Sequence, residues 1–232
     1  MRIGVVGLNG RMSKVILEEL ENHPNCSISG ALVRKKSESY FIPVYEDILE
    51  LAAESDAIID FSNSTTSIYI AKKLAGSNIV LVCGTTGFSS SELKELEESA
   101  TQVTLIYSPN MSIGINLLQN LLKIAAPILS EFDPAIIDIH HKHKKDSPSG
   151  TALLLAKKIE ETISKKVQVS SLRIGAVPGE HQVIFSSEDE SIAFTHHAFN
   201  RNVFANGAIK ACLWGKGREP GKLYSMQDVL NS

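Results

Sequence analysis

Short apolar runs alternate with amphipathic stretches through the first half of the chain. The short runs predict buried strands, and the stretches with apolar residues three and four positions apart predict helices. Such alternation is typical of a doubly wound parallel sheet, so an α/β fold of this kind is expected. The predicted strands are residues 3–6, 27–33, 57–61, 79–82 and 103–107, and the predicted helices are 14–21, 48–54, 67–75 and 90–99.

The pattern changes after Asn110. A long amphipathic stretch follows, and the later strand-like runs alternate polar and apolar positions only in part, which indicates a mixed α+β block. The predicted strands there are 135–141, 171–176, 181–186 and 191–197, and the predicted helices are 115–129, 151–163, 207–214 and 226–230.

Composition narrows the class of protein. The 232 residues are 43% hydrophobic and 21% charged, which is ordinary for a globular chain. A formal net charge of -3 argues against nucleic acid as the main partner. The three cysteines, Cys26, Cys83 and Cys212, form no disulfide or metal spacing. Together with the lack of a signal-peptide core or a long apolar run, they predict a cytoplasmic protein without a membrane partner.

A glycine-containing loop joins the first predicted strand to the first predicted helix. Glycines at this junction permit a tight turn and the close approach of a pyrophosphate to the helix N-terminus. Taken alone the G-x-x-G pattern is a weak signal, and its position in a parallel sheet is what favours a dinucleotide site. The candidate cofactor-binding residues are Gly7, Leu8, Asn9, Gly10, Arg11 and Met12.

The end of the second predicted strand bears on the type of dinucleotide. An acidic residue there suits the ribose 2′-hydroxyl of NADH, whereas basic residues suit the 2′-phosphate of NADPH. Here Val33 is followed by Arg34, Lys35 and Lys36, which favours NADPH over NADH, with Arg34 as the candidate contact. A solvated charge run is the alternative interpretation.

Two further loops follow predicted strands of the same sheet. Both contain small or hydroxyl-bearing residues, which suit a cofactor that crosses the carboxyl ends of the strands. A plain glycine-rich loop is the alternative for each. The candidate cofactor-binding residues in them are Gly84, Thr85, Thr86, Ser108, Pro109, Asn110 and Met111.

Residues 140–152 carry the most distinctive chemistry, reading His-His-Lys-His-Lys-Lys-Asp-Ser-Pro-Ser-Gly-Thr-Ala. A basic segment, residues 140–145, is followed by a turn in which Ser147 or Ser149 can cap a helix. Free N–H groups at a helix start favour an anion, so we expect a pocket for a small, multiply anionic molecule. The groups expected to hold a carboxylate are Lys144, Gly150 and Thr151.

The same residue types suit proton transfer. Hydride transfer to a C=N or C=O group needs a proton donor, for which histidine or lysine is expected. His141 and His143 would share a strand face and could instead begin a zinc site, but the surrounding lysines would repel a cation. We therefore expect no metal. A solvated surface charge run is the remaining alternative.

These motifs resemble the dihydrodipicolinate reductase (4-hydroxy-tetrahydrodipicolinate reductase) family of the diaminopimelate and lysine pathway. The resemblance covers essentially the whole chain and is most specific over residues 140–152. The other matching segments are the loop at 7–12, residues 84–88, 109–116 and 179–181, Arg201 and residues 204–208.

The resemblance implies NAD(P)H-dependent reduction of 4-hydroxy-tetrahydrodipicolinate to tetrahydrodipicolinate. It implies a Rossmann-type dinucleotide-binding domain over residues 1–111 plus 202–232. It also implies a central α+β domain over residues 112–201 that binds the dicarboxylate substrate and builds a homotetramer. The site residues it implies are His140 and Lys144 for acid/base chemistry and proton donation, and His141, Ser149, Gly150 and Thr151 for substrate binding.

Three positions depart from the family pattern. Ser13 replaces a frequent third glycine, Val33 replaces a frequent acid and favours NADPH, and Met111 stands where some members have phenylalanine. Two other functions stay open: a dehydrogenase of another anionic amino-acid precursor, and a non-catalytic NADPH-binding redox sensor. The intact segment 140–152 argues against the sensor, and a zinc hydrolase is a weaker third alternative.

Overall fold

The computed structural model describes residues 1–35 and 40–231, so Lys36 of the predicted basic run lies outside the described residues. The chain divides into two compact units: unit 1 is Met1–Ser112 with Asn202–Ser232, and unit 2 is Ile113–Arg201. Among the described residues, no helix has the length and apolar character needed to span a membrane.

The helices and strands are numbered here in chain order. Unit 1 begins with β1 (Arg2–Val6), α1 (Arg11–Glu21), β2 (Ser27–Leu32), β3 (Val44–Tyr45), α2 (Ile48–Ala53), β4 (Ala57–Asp60), α3 (Ser64–Lys73), β5 (Val80–Cys83), α4 (Ser90–Ser99) and β6 (Thr104–Tyr107). Unit 2 contains α5 (Ile113–Ile128), β7 (Asp133–His140), α6 (Gly150–Ile163), β8 (Gln168–Arg173), β9 (Gly179–Ser186) and β10 (Ser191–Ala198). Unit 1 ends with α7 (Asn202–Gly215), β11 (Tyr224–Ser225) and α8 (Met226–Leu230).

Unit 1 is built on a seven-stranded sheet with the order β11-β6-β5-β4-β1-β2-β3, and its paired strands run parallel. Its central strands are apolar on both faces because each face is covered by helices. Val5 and Ile59 belong to one core layer, whereas their neighbours Val6 and Ile58 belong to the other. This arrangement confirms the predicted doubly wound parallel sheet.

Several helices begin earlier than the apolar pattern predicts, because capping residues decide where they start. Helix α1 begins at Arg11, after Gly10 in extended conformation. Helix α3 begins at Ser64, since the Asn63 side chain accepts a hydrogen bond from the Thr66 N–H. The two-residue strands β3 and β11 were not predicted, because two residues are too few to show a period.

Unit 2 is a four-stranded mixed sheet with the order β10-β9-β7-β8. Strand β7 pairs parallel with β8 and antiparallel with β9, which confirms the predicted α+β block. Helices α5 and α6 supply Leu122 and Leu155 to a core shared with Ile136, Val183 and Phe185 of the sheet. This core stabilises the inner face of the sheet.

The inner face of this sheet changes from apolar to polar along β7. Ile136 lies between Val169 of β8 and Val183 of β9. Two residues further on, Asp138 lies between Ser171 and His181, and the next inward residue is His140. Strand β8 therefore places a polar residue on the inner face. It begins at Gln168, three positions before its predicted start.

Candidate active site

Asp138 is fully buried at the centre of the polar cluster on this inner face. Its Oδ2 accepts hydrogen bonds from the Ser149 N–H and from Arg173 Nη2, each at 2.9 Å, and its Oδ1 accepts one from Ser149 Oγ at 2.7 Å. Burial raises the pKa of Asp138, but the donors from His140, Ser149 and Arg173 outweigh it and hold the pKa well below its usual range. Asp138 is therefore an anion at neutral pH.

His140, the expected acid/base residue, is the last residue of β7 and is 8% exposed. Its Nδ1 lies 2.8 Å from Oδ1 of Asp138. Its ring meets that of His181 edge to face, with centroids 5.2 Å apart. A Cβ on Gly179 would lie 3.1 Å from its Nε2, so the glycine leaves room for the imidazole.

His181 lies beside both Asp138 and Ser149. Burial, reinforced by the neighbouring His140, lowers the pKa of His181 to about 4 despite the opposing effect of Asp138. Its Nε2 lies 3.2 Å from Ser149 Oγ, whose single proton goes to Asp138. The His181 ring is therefore neutral near pH 7 and donates through Nε2–H.

The ligand atoms of Asp138, His140 and His181 all lie within 4.8 Å of one another, a spacing that a metal ion could bridge. The donor set does not fit a metal cation, because the Arg173 guanidinium is already paired with the Asp138 carboxylate and its positive charge would repel the metal ion. The Ser149 hydroxyl and N–H use the same carboxylate. The cluster fits a hydrogen-bonded network instead.

The basic segment leaves the sheet after His140. Since β7 ends there, the prediction that His141 and His143 share a strand face is wrong, and their ring centroids lie 6.5 Å apart in the following turn. Lys144 Nζ pairs with Asp146 Oδ2 at 2.8 Å. Burial and the charges of Arg201 and His140 lower the pKa of His141.

Helix α6 begins next to the cluster. Ser149 is its N-cap and accepts a hydrogen bond from the Ala152 N–H at 3.2 Å, which decides between the two predicted caps. A Cβ on Gly150 would meet nothing within 4 Å, so the space beside this helix start is open.

The sequence suggested a free N–H at Gly150, but in the structure this N–H donates to Asp146. Burial raises the pKa of Asp146, but hydrogen bonds from Lys144 and from the Gly150 N–H outweigh it and lower that pKa. The carboxylate of Asp146 therefore lies at the helix start, where a substrate carboxylate was expected.

The first glycine loop of unit 1 joins β1 to α1 and contains the candidate residues for a dinucleotide. Gly7 adopts a φ of +80°, which favours glycine, and its N–H donates to Leu32 O at 2.8 Å. The N-cap Gly10 has no side chain to occupy the N–H groups of the first turn of α1. Ser13 Oγ donates to Val6 O at 3.2 Å, so the residue that replaces the third glycine ties the helix to the strand. Around these contacts, Arg11 and Asn9 are exposed, and Leu8 and Met12 are half-buried.

The loop after β5 begins with close packing. A Cβ on Gly84 would lie 2.3 Å from the Phe61 ring, so only glycine fits there. Thr85 is buried, and its hydroxyl lies 3.0 Å from Ser67 Oγ, which also donates to Asp60 at 2.5 Å. Thr86, in contrast, is exposed, and so is Arg34 after β2. Of these candidates, Thr86 and Arg34 are therefore accessible to a ligand, whereas Gly84 and Thr85 are buried.

The loop after β6 is held by its own polar groups. Ser108 Oγ donates to Asn110 O at 2.7 Å, and Asn110 Oδ1 accepts from the Ser112 N–H at 2.9 Å. Pro109 is exposed, whereas Met111 is 1% exposed. Ser108 and Asn110 thus build the loop, and the exposed Pro109 is more accessible to a ligand.

Sequence reasoning did not single out Asp138, Arg173 or Asp60, which the structure places in contact with candidate residues or their neighbours. A signal was present for Asp138, because an acidic residue within an Ile-Ile-Asp-Ile run predicts an inward-facing charge that needs partners. Arg173 carried no signal, since its partner lies 35 residues away in sequence and meets it only through β-sheet pairing.

Comparison with known families covers both units. A family model described as "Dihydrodipicolinate reductase, N-terminus" matches residues 1–111, and one described as "Dihydrodipicolinate reductase, C-terminus" matches residues 114–230. A 4-hydroxy-tetrahydrodipicolinate reductase of Rickettsia bellii is 38% identical over 246 residues, covering 100% of this chain and 95% of the relative. One from Bartonella bacilliformis is 39% identical over 265 residues, covering 99% and 98%.

Solved structures agree in fold. The dipicolinate-bound dihydrodipicolinate reductase of Paenisporosarcina sp. TG-14 superposes with a TM-score of 0.83 at 23% identity, covering 98% of both chains. A DAP dehydrogenase of C. glutamicum in complex with DAP reaches a TM-score of 0.64 at 12% identity, covering 98% of this chain and 93% of that chain. At these identities the similarity shows the fold alone.

Proposed function

The chain belongs to the dihydrodipicolinate reductase family, an NAD(P)H-dependent oxidoreductase family, and we propose that it reduces 4-hydroxy-tetrahydrodipicolinate to tetrahydrodipicolinate. The observation that carries the proposal is the carboxylate of Asp146 at the start of α6, paired with Lys144 at 2.8 Å. The protein thus holds a carboxylate of its own where a dicarboxylate substrate would bind.

On binding, a substrate carboxylate would displace the Asp146 carboxylate from the start of α6. One substrate carboxylate takes the N–H groups of Gly150 and Thr151, whose helix start favours an anion. The 4-hydroxyl group leaves as water, and Lys144, released from Asp146, donates the proton that balances the incoming hydride. His141 contacts the bound substrate from the turn after β7, and Ser149 holds the helix start in place.

The cofactor would bind to unit 1. When bound, NAD(P)H supplies the hydride. Phosphates fit the uncapped helix start after Gly10, with Arg11 exposed beside it. Arg34 is exposed at the end of β2 and has the charge to bind a 2′-phosphate, which supports a preference for NADPH over NADH. The proposed contacts are Gly7, Leu8, Asn9, Gly10, Arg11, Met12, Arg34, Gly84, Thr85, Thr86, Ser108, Pro109, Asn110 and Met111.

The outer face of the unit 2 sheet supports the proposed homotetramer. Side chains alternate along the strands, so Ile137, Ile139 and Ile184 face away from α5 and α6 and are half-buried, and Leu172 is 53% exposed. An aliphatic sheet face of this kind needs a partner surface in water. We propose that copies of this chain cover it, in a cytoplasmic enzyme without nucleic-acid or membrane partners.

The experiment is the loss of NADPH absorbance with freshly generated 4-hydroxy-tetrahydrodipicolinate. Lys144→Ala is expected to lower kcat by about a hundred-fold or more, since it removes the proton donor, and to leave NADPH affinity unchanged. Lys145→Ala is the matched control, because Lys145 is exposed one residue away. Unchanged turnover in Lys144→Ala would overturn the role of Lys144.

The alternative functions are separate arms of the same assay. Binding of NADPH without turnover of this substrate would favour a redox sensor. Turnover of a different anionic amino-acid precursor, with none of this substrate, would favour the other dehydrogenase. Either result would reject the proposed reaction.

A further inference from the structure

We infer that Asp138 is a positioning residue for the reaction: it holds His140 as the Nδ1–H tautomer and, through Ser149, holds the start of α6 in place. The inference rests on the proposed function, since it deepens the assignment of His140 and of the helix start. Asp138 itself is fully buried, so its proposed role is to position other groups and not to touch the substrate.

The proton on His140 follows from the short distance to Asp138. Nδ1 of the histidine lies 2.8 Å from the ionised Oδ1, which is too close for an unprotonated nitrogen and a negative oxygen, although this oxygen lies off the axis of the ring N–H and the contact is electrostatic, not an aligned hydrogen bond. Nδ1 therefore carries the proton, which leaves Nε2 as the atom able to take or give a proton in the neutral ring.

The neighbouring histidine has the opposite tautomer. His181 donates through Nε2–H to Ser149 Oγ, since the proton of that hydroxyl is used by Asp138. With its pKa lowered to about 4, mainly by burial, His181 is neutral near pH 7. His140 is thus the member of the pair that lies closer to the anion, at 2.8 Å against 3.5 Å for His181.

The same carboxylate also fixes the proposed substrate-binding helix start. Both Asp138 oxygens accept from Ser149, the N-cap of α6, through the backbone N–H and the hydroxyl. Arg173 links Asp138 to the basic turn, because its Nη2 donates to Asp138 Oδ2 at 2.9 Å and to Asp146 O at 2.7 Å. One buried charge therefore sets the relative position of a proposed acid/base group and a proposed carboxylate site.

An amide cannot replace this carboxylate. Every group around Asp138 now donates to it or faces it with a proton, so the NH₂ of an asparagine would face either Arg173 and the Ser149 N–H or His140 and the Ser149 hydroxyl, of which only the hydroxyl can turn to accept. Asp138→Asn keeps the shape and removes the charge that orients His140.

The first test measures kcat, KM and NADPH affinity in Asp138→Asn. We expect kcat to fall about ten- to hundred-fold, part of the general acid–base contribution, while NADPH affinity stays within two-fold. Asp133→Asn is the matched control, because Asp133 is an exposed aspartate on the same strand. Asp138→Glu restores the charge and is expected to recover part of the lost kcat.

The second test has a readout independent of turnover. The readout is the ¹⁵N spectrum of the histidine rings, in which the His140 signals are identified by their absence in His140→Gln. We expect the Nδ1–H tautomer of His140 in the wild-type protein. We expect that preference to be lost in Asp138→Asn. Ser171→Ala serves as a structural control, since Ser171 Oγ donates to the same carboxylate at 3.2 Å without altering its charge. In Ser171→Ala, the His140 tautomer and the kcat are expected to stay close to those of the wild-type protein.

The two tests separate this inference from the proposed function. A wild-type Nε2–H tautomer, or a folded Asp138→Asn variant with wild-type kcat, would overturn the role of Asp138. A fall in kcat that merely follows the thermal unfolding midpoint across Asp138→Asn, Asp138→Glu and Ser171→Ala would also overturn it. Lack of wild-type turnover, with the Nδ1–H tautomer present, would reject the proposed reaction instead.

Discussion

Ser149 donates to both carboxylate oxygens of Asp138, through its N–H at 2.9 Å and its hydroxyl at 2.7 Å. The two residues are 11 positions apart, one inside β7 and the other at the N-cap of α6. The contact therefore joins strand β7 to the start of helix α6, on either side of the basic segment and the turn that follows it. Its energetic value can be measured, because the hydroxyl part is removable without moving the backbone.

Ser149→Ala removes that hydroxyl, the cap on the Ala152 N–H and the acceptor for His181. We expect a loss of about 1–3 kcal/mol in the free energy of unfolding, read from the thermal midpoint. Thr162→Ala is the control: its hydroxyl donates to Lys158 O on an exposed part of the same helix. Equal effects of the two variants would contradict the importance of the buried contact.

Stability is expected to decrease as the pH falls from about 6.5 towards 4. Burial lowers the pKa of His181 from 6.5 to about 4, so in this window the unfolded chain takes up a proton that the folded chain does not. The contribution of His181 is complete above pH 6.5 and amounts to about 3 kcal/mol. Chemical denaturation at several pH values should show a shallower dependence for His181→Gln, and parallel curves would contradict this account.

Cofactor preference is expected to depend on Arg34 and not on Arg11. Arg34→Ala should weaken NADPH binding about ten-fold, the effect of losing about 1.4 kcal/mol, while NADH binding stays unchanged. Arg11→Ala should weaken both cofactors alike, because Arg11 lies at the helix start proposed for the shared pyrophosphate. Calorimetric titration of both variants with both cofactors checks this, and a loss of both affinities in Arg34→Ala would contradict it.

The loop after β6 is expected to be sensitive to Gly207 of α7. A Cβ there would lie 1.7 Å from the carbonyl oxygen of Met111, and a backbone atom cannot move aside as a flexible side chain would. Gly207→Ala should therefore lower the thermal midpoint, with a loss of about 1–3 kcal/mol, and weaken NADPH binding. Lys210→Ala, on the exposed side of the same helix, should do neither. Normal cofactor affinity in Gly207→Ala would show that this loop does not contribute to cofactor binding.

Elements with long, regular patterns were predicted well. The strand 57–61 and the helix 90–99 appear as β4 (Ala57–Asp60) and α4 (Ser90–Ser99), because a buried run and a capping box are both local signals. Strand β8 was placed three residues late, since two of its three inward residues are the polar Ser171 and Arg173 and only Val169 is apolar. Its register depends on a partner charge that no local pattern shows.

The sequence alone determined the class of fold, the glycine loops and the presence of a basic segment before a capped helix. These properties follow from periodicity, capping and residue type, all of which act over a few neighbouring positions. Only the tertiary structure decided which polar groups these residues contact. The contact of His181 with Asp138 depends on the pairing of β7 with β9, and the contacts of Ser149 and Asp146 depend on how the chain turns back from β7 into α6, where burial makes each polar contact decisive.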